Sequence, residues 1–223
     1  RLEPRSLLRC RTSTSTRTGP ARDAPEGTAV AGFGGGYLVT NAHVLGRAVN
    51  VDIRLADGRL VAVEIVGRDT RTDLALLKAP MEFPVPRTAP APTIGGRVCA
   101  IGNQFGLGLS VTCGVVSALR RTNAGFNPVE DFVQTDAAIN PGGSGGALVD
   151  GEGRLVGIVS AIFTKQSDAD IGVNFAAVIG LVLRVVGAEQ LRSWANVVAS
   201  SKCSEHGSER NERNCISKVT VHW

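Results

Sequence analysis

The sequence has few aromatic residues and no long apolar run, and both shortages narrow the class of protein. Phe, Tyr and Trp together make up 4% of the 223 residues. The best apolar stretch, Phe175 to Leu183, ends at Arg184 and is shorter than the roughly 18 residues that a membrane-spanning helix needs. We therefore expect no membrane span. The abundant Gly, 27 residues, together with many Val favours a mostly β protein with short strands and tight turns.

Most of the chain also lacks a surplus of charge. The net charge is +4, but residues 1–22 hold six Arg and one Glu, so they contribute +5 and the remainder sums to −1. Nucleic-acid-binding surfaces need clustered positive charge, so we expect no nucleic-acid partner for the folded part. Because residues 1–27 also lack apolar periodicity, they are predicted to be a disordered leader, with the end of an organellar transit peptide as the less favoured alternative.

The cysteines show no metal-ligand spacing, so we expect no metal site and no cofactor. Cys99 and Cys113 fall on segments predicted to be neighbouring strands around a turn at Gly106 to Gly108. A disulfide and two small buried thiols both fit that placement, and the thiols are the preferred interpretation. The remaining cysteines are Cys10, Cys203 and Cys215.

The patterned part of the chain divides into two halves at a proline-rich segment. Five of the ten prolines lie between Ala79 and Thr93, and since proline cannot donate to a β-ladder, this segment is predicted to be a stiff linker. Each half has about 60–90 residues, which is small for independent stability, so we expect the halves to pack together. The predicted domain, 28–199, comprises a first half over about 28–78, the linker 79–93, a second half over about 94–178 and a helix over about 179–198. The polar residues 200–223 receive no predicted fold.

A glycine-rich turn in the second half, Asn140 to Gly146, carries a single hydroxyl, that of Ser144. Glycines accept positive φ and let neighbouring N–H groups converge on one point, which suits a nucleophile beside an oxyanion site. The expected donors are the N–H groups of Gly142 and Ser144. Ordinary Gly/Ser turns between strands greatly outnumber catalytic ones, so this turn needs support from elsewhere in the chain.

A serine nucleophile needs a base, and the base needs an orienting partner. His43 is the one histidine in the patterned region and ends an apolar strand, where a purely structural role is an equally good interpretation. Asp73 begins the apolar strand Leu74 to Leu77, where an imidazole N–H would satisfy its carboxylate and a strand-start cap is the plain alternative. His43 and Asp73 precede the linker and Ser144 follows it, so a cleft between the halves would join the three.

Five ordered motifs resemble those of a known family, the HtrA (Deg) branch of trypsin-like serine proteases. The resemblance covers about Thr28 to Ala199. It implies an all-β fold of two packed six-stranded β-barrels, as in chymotrypsin and trypsin, with a C-terminal helix. The motifs are Thr40-Asn-Ala-His-Val44, Thr72-Asp-Leu-Ala-Leu-Leu77, Ile101-Gly-Asn-Gln-Phe-Gly-Leu-Gly108, Gly114-Val-Val-Ser-Ala118 and Gln134-Thr-Asp-Ala-Ala-Ile-Asn-Pro-Gly-Gly-Ser-Gly-Gly146.

The resemblance also assigns roles to residues. It implies that His43 is the general base, Asp73 its orienting partner and Ser144 the nucleophile, with Gly142 and Ser144 as the oxyanion hole. The implied activity is ATP-independent hydrolysis of peptide bonds in unfolded or damaged proteins through an acyl-enzyme. Cleavage is expected after small apolar residues (the P1 position). The small apolar pocket that receives them would be lined by Ile139, Val159, Ser160 and Ala161.

The sequence departs from the family pattern in three places. Gly143 stands where family members usually carry Asn. Only 24 residues follow Ala199, too few for the PDZ domain that most members carry. The resemblance implies a homo-oligomer, but the aromatic residues of the family's trimer contacts have no counterpart, since no Phe, Tyr or Trp precedes Phe33. It also favours an extracytoplasmic location, periplasmic or secreted, with an organelle as the alternative.

Two other functions are alternatives to the protease. The string Gly142 to Gly146 also fits the nucleophile elbow of α/β-hydrolases, with Asp168 and His206 as partners, but that fold requires strand–helix alternation. A catalytically silent peptide-binding or chaperone module on the same barrels is the second alternative. An intact His-Asp-Ser set argues against it.

Overall fold

The computed structural model describes residues 7–13, 26–162 and 172–190 of the chain. Twelve strands in these ranges form two closed β-barrels of six strands each. The first barrel contains β1 Leu7–Ser13, β2 Glu26–Ala31, β3 Tyr37–Asn41, β4 Asn50–Arg54, β5 Leu60–Asp69 and β6 Leu74–Lys78. The second contains β7 Arg97–Gly102, β8 Ser110–Arg121, β9 Phe132–Thr135, β10 Ala147–Asp150, β11 Leu155–Ile162 and β12 Asn174–Val178.

Both barrels close by antiparallel pairing between neighbouring strands. The first has the order β1-β2-β3-β6-β5-β4, and the second has the order β10-β11-β12-β9-β8-β7. These barrels confirm the predicted fold class, and the α/β-hydrolase interpretation is wrong because the strands pair antiparallel in two barrels instead of alternating with helices. A short helix, α1 (Ala42–Leu45), follows β3. A second helix, α2, occupies 179–190, and the rest of the helix predicted to reach about 198 lies outside the described residues.

None of the helices in the described ranges has the length and apolar character needed to cross a membrane.

A shared core joins the two barrels and α2. Val30, Leu74 and Leu76 of the first barrel lie in one buried cluster with residues of the second barrel such as Phe132 and Ile158. Val182 and Val186 of α2 belong to the same cluster, so α2 covers the junction. The expectation that the two halves pack against each other is confirmed.

The predicted disordered leader over 1–27 is wrong for residues 7–13 and 26–27. β1 pairs with β2 from Leu7 opposite Val30 onward, and it also pairs with β4, with Cys10 opposite Ile53. β1 is therefore the sixth strand of the first barrel, and it fills the gap between two edges that would otherwise be open. The sequence does not predict this strand because its hydrogen-bonded pairing with β2 and β4 defines it, whereas its own residues are rich in arginine.

Cys99 and Cys113 form a disulfide, so the preferred interpretation as two buried thiols is wrong. The two residues are direct cross-strand partners in the β7–β8 pair. Cys113 is exposed and Cys99 is half-buried. Alternation along β8 turns Cys113 outward, where the pair is reachable by solvent instead of being enclosed.

The proline-rich segment lies along the second barrel. Thr88 forms a parallel bridge with Leu155 of β11. The N–H of Leu155 donates to the carbonyl of Arg87 at 2.8 Å, and that of Ala89 donates to the carbonyl of Leu155 at 2.9 Å. The linker is thus fastened to the second barrel before β7 begins.

Candidate active site

His43 reaches solvent because the rest of its short helix is buried. Ala42, Val44 and Leu45 of α1 are 7%, 6% and 1% exposed, whereas the His43 side chain is 50% exposed. The N–H of Ala42 donates to the carbonyl of Asp73 at 3.0 Å, which ties the start of α1 to the segment before β6. The fold therefore presents the imidazole on a fixed platform.

Asp73 makes two hydrogen bonds to the same histidine. Its Oδ2 lies 2.6 Å from His43 Nδ1, and its Oδ1 accepts the His43 backbone N–H at 2.9 Å. A carboxylate accepts, so Nδ1 carries the proton and Nε2 of the neutral ring is left as the acceptor. This is the tautomer that a general base needs.

The backbone at Asp73 is in the left-handed region, with φ 58°. Non-glycine residues adopt this conformation at a cost of the order of 1–3 kcal/mol, and it persists where the surroundings hold it. The Asp73 carbonyl is held by the N–H of Ala42 and by Nδ2 of Asn41, each at 3.0 Å. These two bonds fix the conformation that turns the Asp73 carboxylate toward His43.

Asn41 is a candidate positioning residue that the sequence interpretation missed. It is fully buried, and besides the Asp73 carbonyl its Nδ2 approaches Ser160 Oγ at 3.4 Å. Within the described residues its Oδ1 has no hydrogen-bond partner. The residue stands inside the motif Thr40-Asn-Ala-His-Val44, but its chemistry becomes apparent only when β6 and β11 are brought beside it.

The turn that carries Ser144 is shaped by glycines that cannot be replaced without a collision. Gly142 has φ 90°, and a Cβ there would stand 2.3 Å from the Asn103 carbonyl oxygen. Gly145 has φ 80°, and a Cβ there would stand 2.0 Å from the Thr28 carbonyl oxygen. Both positions therefore require glycine for conformation and for space.

One backbone contact sets the orientation of the peptide between Pro141 and Gly142. The Pro141 carbonyl accepts the N–H of Phe105 at 2.7 Å. A trans peptide points its carbonyl and its N–H in opposite directions, so the Gly142 N–H is turned away from Phe105. Within the described part of the chain, neither the Gly142 nor the Ser144 N–H donates to a hydrogen bond. Two free donors on such a turn are what an oxyanion site requires.

The two barrels meet at Ser144. The N–H of Thr28 in β2 donates to the Ser144 carbonyl at 2.9 Å, and Thr40 in β3, three residues before His43, donates its hydroxyl to the Thr28 carbonyl at 2.7 Å. No hydrogen bond joins His43 to Ser144 among the described residues. Catalytic hydrogen bonds are commonly long before substrate binds.

The residues expected to line a substrate pocket lie on either side of the nucleophile turn. Ile139 and Val159, 2% and 1% exposed, share one buried cluster of the second barrel. Ser160 is 2% exposed and contacts Asn41 behind the His43–Asp73 pair. Ala161 lies in β11 opposite Phe175. The N–H of Gly145 donates to the Val159 carbonyl, and the N–H of Val159 donates to the Gly146 carbonyl, so β11 is fixed to the turn.

Comparison with known proteins places this geometry in a family. Residues 27–158 match the trypsin-like peptidase domain, and the chain belongs to that family. The periplasmic serine endoprotease DegP of Escherichia coli (strain K12) is 45% identical over 147 residues, which are 63% of this chain and 30% of that protein. A probable periplasmic DegP-like endoprotease of Chlamydia trachomatis is 42% identical over 168 residues, covering 74% of this chain and 34% of that protein.

Solved structures of HtrA-type proteases have the same fold. The HtrA-type protease AlgW, solved with a tripeptide, has a TM-score of 0.77 and 40% identity, covering 84% of this chain and 60% of that one. A serine endoprotease from Yersinia pestis has a TM-score of 0.69 and 33% identity, covering 84% and 64%. These relatives confirm the resemblance to the HtrA (Deg) branch. The chain spans about a third of the length of the curated relatives it matches.

Proposed function

We propose that this chain is a serine endopeptidase that cleaves peptide bonds through an acyl-enzyme. The observation that carries the proposal is the 2.6 Å contact between His43 Nδ1 and Asp73 Oδ2, beside a glycine turn that presents Ser144. The family match and the relatives named as serine endoproteases support the same conclusion.

In the proposed reaction, His43 Nε2 accepts the proton of Ser144 Oγ as that oxygen attacks the carbonyl carbon of the substrate. The oxyanion of the tetrahedral intermediate accepts hydrogen bonds from the N–H groups of Gly142 and Ser144, and Asp73 stabilises the imidazolium. His43 then gives its proton to the leaving amine. A water molecule, deprotonated by His43, hydrolyses the acyl-enzyme and restores Ser144.

The proposed substrates are unfolded or damaged proteins with a small apolar residue before the cleaved bond. Ile139 and Val159 support this specificity, because both are apolar and buried next to the turn that carries Ser144. Neither side chain carries a charge that would bind a basic or acidic residue. The proposal for unfolded chains rests on the likeness to DegP.

We also propose an extracytoplasmic location. The relatives from Escherichia coli and Chlamydia trachomatis are named as periplasmic. The disulfide between Cys99 and Cys113 includes an exposed cysteine, and such bonds persist in oxidising compartments. The silent peptide-binding module has no specific observation in its favour.

The proposal is tested with fluorescein-labelled casein. The wild type is expected to release fluorescent peptides, and Ser144→Ala and His43→Ala are each expected to lose on the order of 10⁴-fold or more in kcat. Mass spectrometry of the products should show cleavage mainly after Val and Ala. Equal cleavage by wild type and Ser144→Ala would overturn the proposal.

A further inference from the structure

Thr28 of β2 makes several hydrogen bonds at the turn that carries Ser144, in addition to the strand pairing of β2. Its N–H donates to the Ser144 carbonyl at 2.9 Å, and its hydroxyl donates to the Gly142 carbonyl at 2.9 Å. The same hydroxyl accepts the N–H of Asn103 at 2.9 Å, and its carbonyl accepts the Thr40 hydroxyl at 2.7 Å. Thr28 is fully buried, so each of these bonds is shielded from water.

These contacts alternate along the backbone with the two proposed oxyanion donors. The donor N–H groups belong to the Pro141–Gly142 and Gly143–Ser144 peptides, whereas the carbonyls bound by Thr28 belong to the peptide that follows in each case, Gly142–Gly143 and Ser144–Gly145. Since each carbonyl is held by Thr28, neither of these two following peptides can rotate without breaking a bond to that residue, and each of them is joined through a single Cα to the peptide that carries a donor N–H. The hydroxyl also links the turn to Asn103, whose N–H it accepts. Phe105, two residues further along the chain, donates its N–H to the Pro141 carbonyl.

Close packing brings the second barrel directly against Thr28. A Cβ at Gly145 would stand 2.0 Å from the Thr28 carbonyl oxygen and 2.3 Å from the Thr40 hydroxyl. A Cβ at Gly102 would stand 3.3 Å from the Thr28 hydroxyl. The glycines therefore let the second barrel approach Thr28 closely enough for all of these bonds.

We propose that Thr28 is a positioning residue for the oxyanion site: its hydroxyl fixes the Gly142–Gly143 peptide, which follows directly on the peptide of the Gly142 donor, to the strand pair that leads to His43. It acts through the turn and does not touch the substrate. The inference rests on the proposed peptidase function. It adds that the first barrel supplies the support for the oxyanion donors as well as the base.

The decisive comparison separates the hydroxyl from the shape of the side chain. Thr28→Val keeps the β-branched shape and removes the hydroxyl, whereas Thr28→Ser keeps the hydroxyl and removes the methyl. Thr28→Ala lacks both, so the pair Ser and Ala tests the hydroxyl even where the valine variant does not fold.

The probe is a fluorophosphonate, which phosphonylates an activated serine. The rate of labelling, measured against probe concentration, gives the maximal labelling rate and the probe concentration at half of that rate. In Thr28→Val we expect the maximal rate to fall about tenfold to a hundredfold, below the 10²–10³ that removal of an oxyanion donor costs. The half-saturating concentration should stay within twofold. Thr28→Ser should recover the wild-type rate within about threefold, because the hydroxyl contacts remain.

A matched control is Thr135→Val. Thr135 is also fully buried, and its hydroxyl also donates to a carbonyl, that of Val115, and accepts an N–H, that of Ala137. This variant should lose thermal stability to a similar extent and keep the wild-type rate. The pH profile of Thr28→Val should keep its wild-type shape, because the His43–Asp73 bonds are untouched.

Wild-type labelling with an unchanged rate in Thr28→Val would overturn the inference and leave the proposed function standing. Equal rate losses in Thr28→Val and Thr135→Val would overturn it too, since the effect would then be one of general stability. A folded wild type that does not label at Ser144 would overturn both proposals.

Discussion

Side chains hold the catalytic pair in the first barrel, whereas the backbone holds the nucleophile in the second. His43, Asp73 and Asn41 are joined by side-chain hydrogen bonds. The turn around Ser144 is fixed mainly by main-chain bonds, such as that from Gly145 to Val159 at 2.9 Å, and by glycines with positive φ, with the Thr28 hydroxyl as its side-chain support. The first arrangement is therefore sensitive to changes of functional group, and the second is sensitive to any added side chain.

Among the residues that hold the two sites in place, the largest effect is expected from a methyl group at Gly145. Gly145→Ala would place its Cβ 2.0 Å from the Thr28 carbonyl oxygen, so the turn must shift and the oxyanion donors with it. We expect a loss of roughly 10²–10³ in kcat for casein, as when one oxyanion donor is removed. The control is Gly58→Ala in the β4–β5 turn, which has φ 87° and open space around the Cβ. It should cost roughly 1–2 kcal/mol in stability and no activity.

The second barrel contains the Cys99–Cys113 disulfide. The disulfide joins residues separated by 14 positions, and closing a loop of that length restricts the unfolded chain by about 3 kcal/mol. The double variant Cys99→Ser/Cys113→Ser is expected to melt at a lower temperature than the wild type and to keep its casein activity at 25 °C. Adding dithiothreitol should lower the melting temperature of the wild type alone. Equal melting temperatures without reductant would contradict this account.

Asn41→Leu tests whether the first barrel depends on a functional group. The substitution removes the Nδ2 donor to the Asp73 carbonyl, and we expect kcat to fall about tenfold as the carboxylate is displaced. Stability should change by less than about 1 kcal/mol, because a buried Oδ1 without a partner among the described residues is removed at the same time. Thermal melting and casein hydrolysis measure the two effects. A fall in stability without a fall in kcat would contradict the assigned role.

The smallest effect concerns the loop between β8 and β9, where the N–H of Val129 donates to the Arg71 carbonyl of the first barrel at 2.9 Å. Burial raises the pKa of Glu130, but hydrogen bonds from the backbone N–H groups of Asn127, Phe126 and Ala124 outweigh it and hold that pKa below its usual value of 4.5. A carboxylate with a lowered folded pKa stabilises the fold above its unfolded pKa and loses that contribution as the pH falls through the folded value.

Glu130→Gln should therefore lower the melting temperature near pH 7, and the difference from wild type should shrink below pH 4.5. Glu152→Gln is the control, since its side chain is 66% exposed and its ion pair with Arg154 lies at the surface. A Glu130→Gln effect that does not vary with pH would show that shape, and not charge, holds the loop.

The sequence was informative wherever one segment carries its own pattern. The strands of the hairpins alternate apolar and polar residues, and His43, Asp73 and Ser144 each stand in a contiguous motif. The strands and these three residues could therefore be predicted. β1 was missed because its alternation, Leu8-Arg9-Cys10-Arg11, is short and lies in an arginine-rich stretch, and its ladders to β2 and β4 come from distant residues. The contacts of Thr28 and Asn41 span up to 119 positions in the chain. No local pattern encodes them, since they exist only when both barrels have formed.

Catalysis at this site requires Ser144 to be an activated nucleophile, and peptide mapping after fluorophosphonate treatment tests this requirement most directly. The wild type is predicted to carry one adduct on the peptide that contains Ser144, with the modification on its hydroxyl. His43→Ala, which lacks the proposed base, is predicted to carry none under the same conditions. An unmodified Ser144 in folded wild-type protein, or equal modification in His43→Ala, would contradict the account.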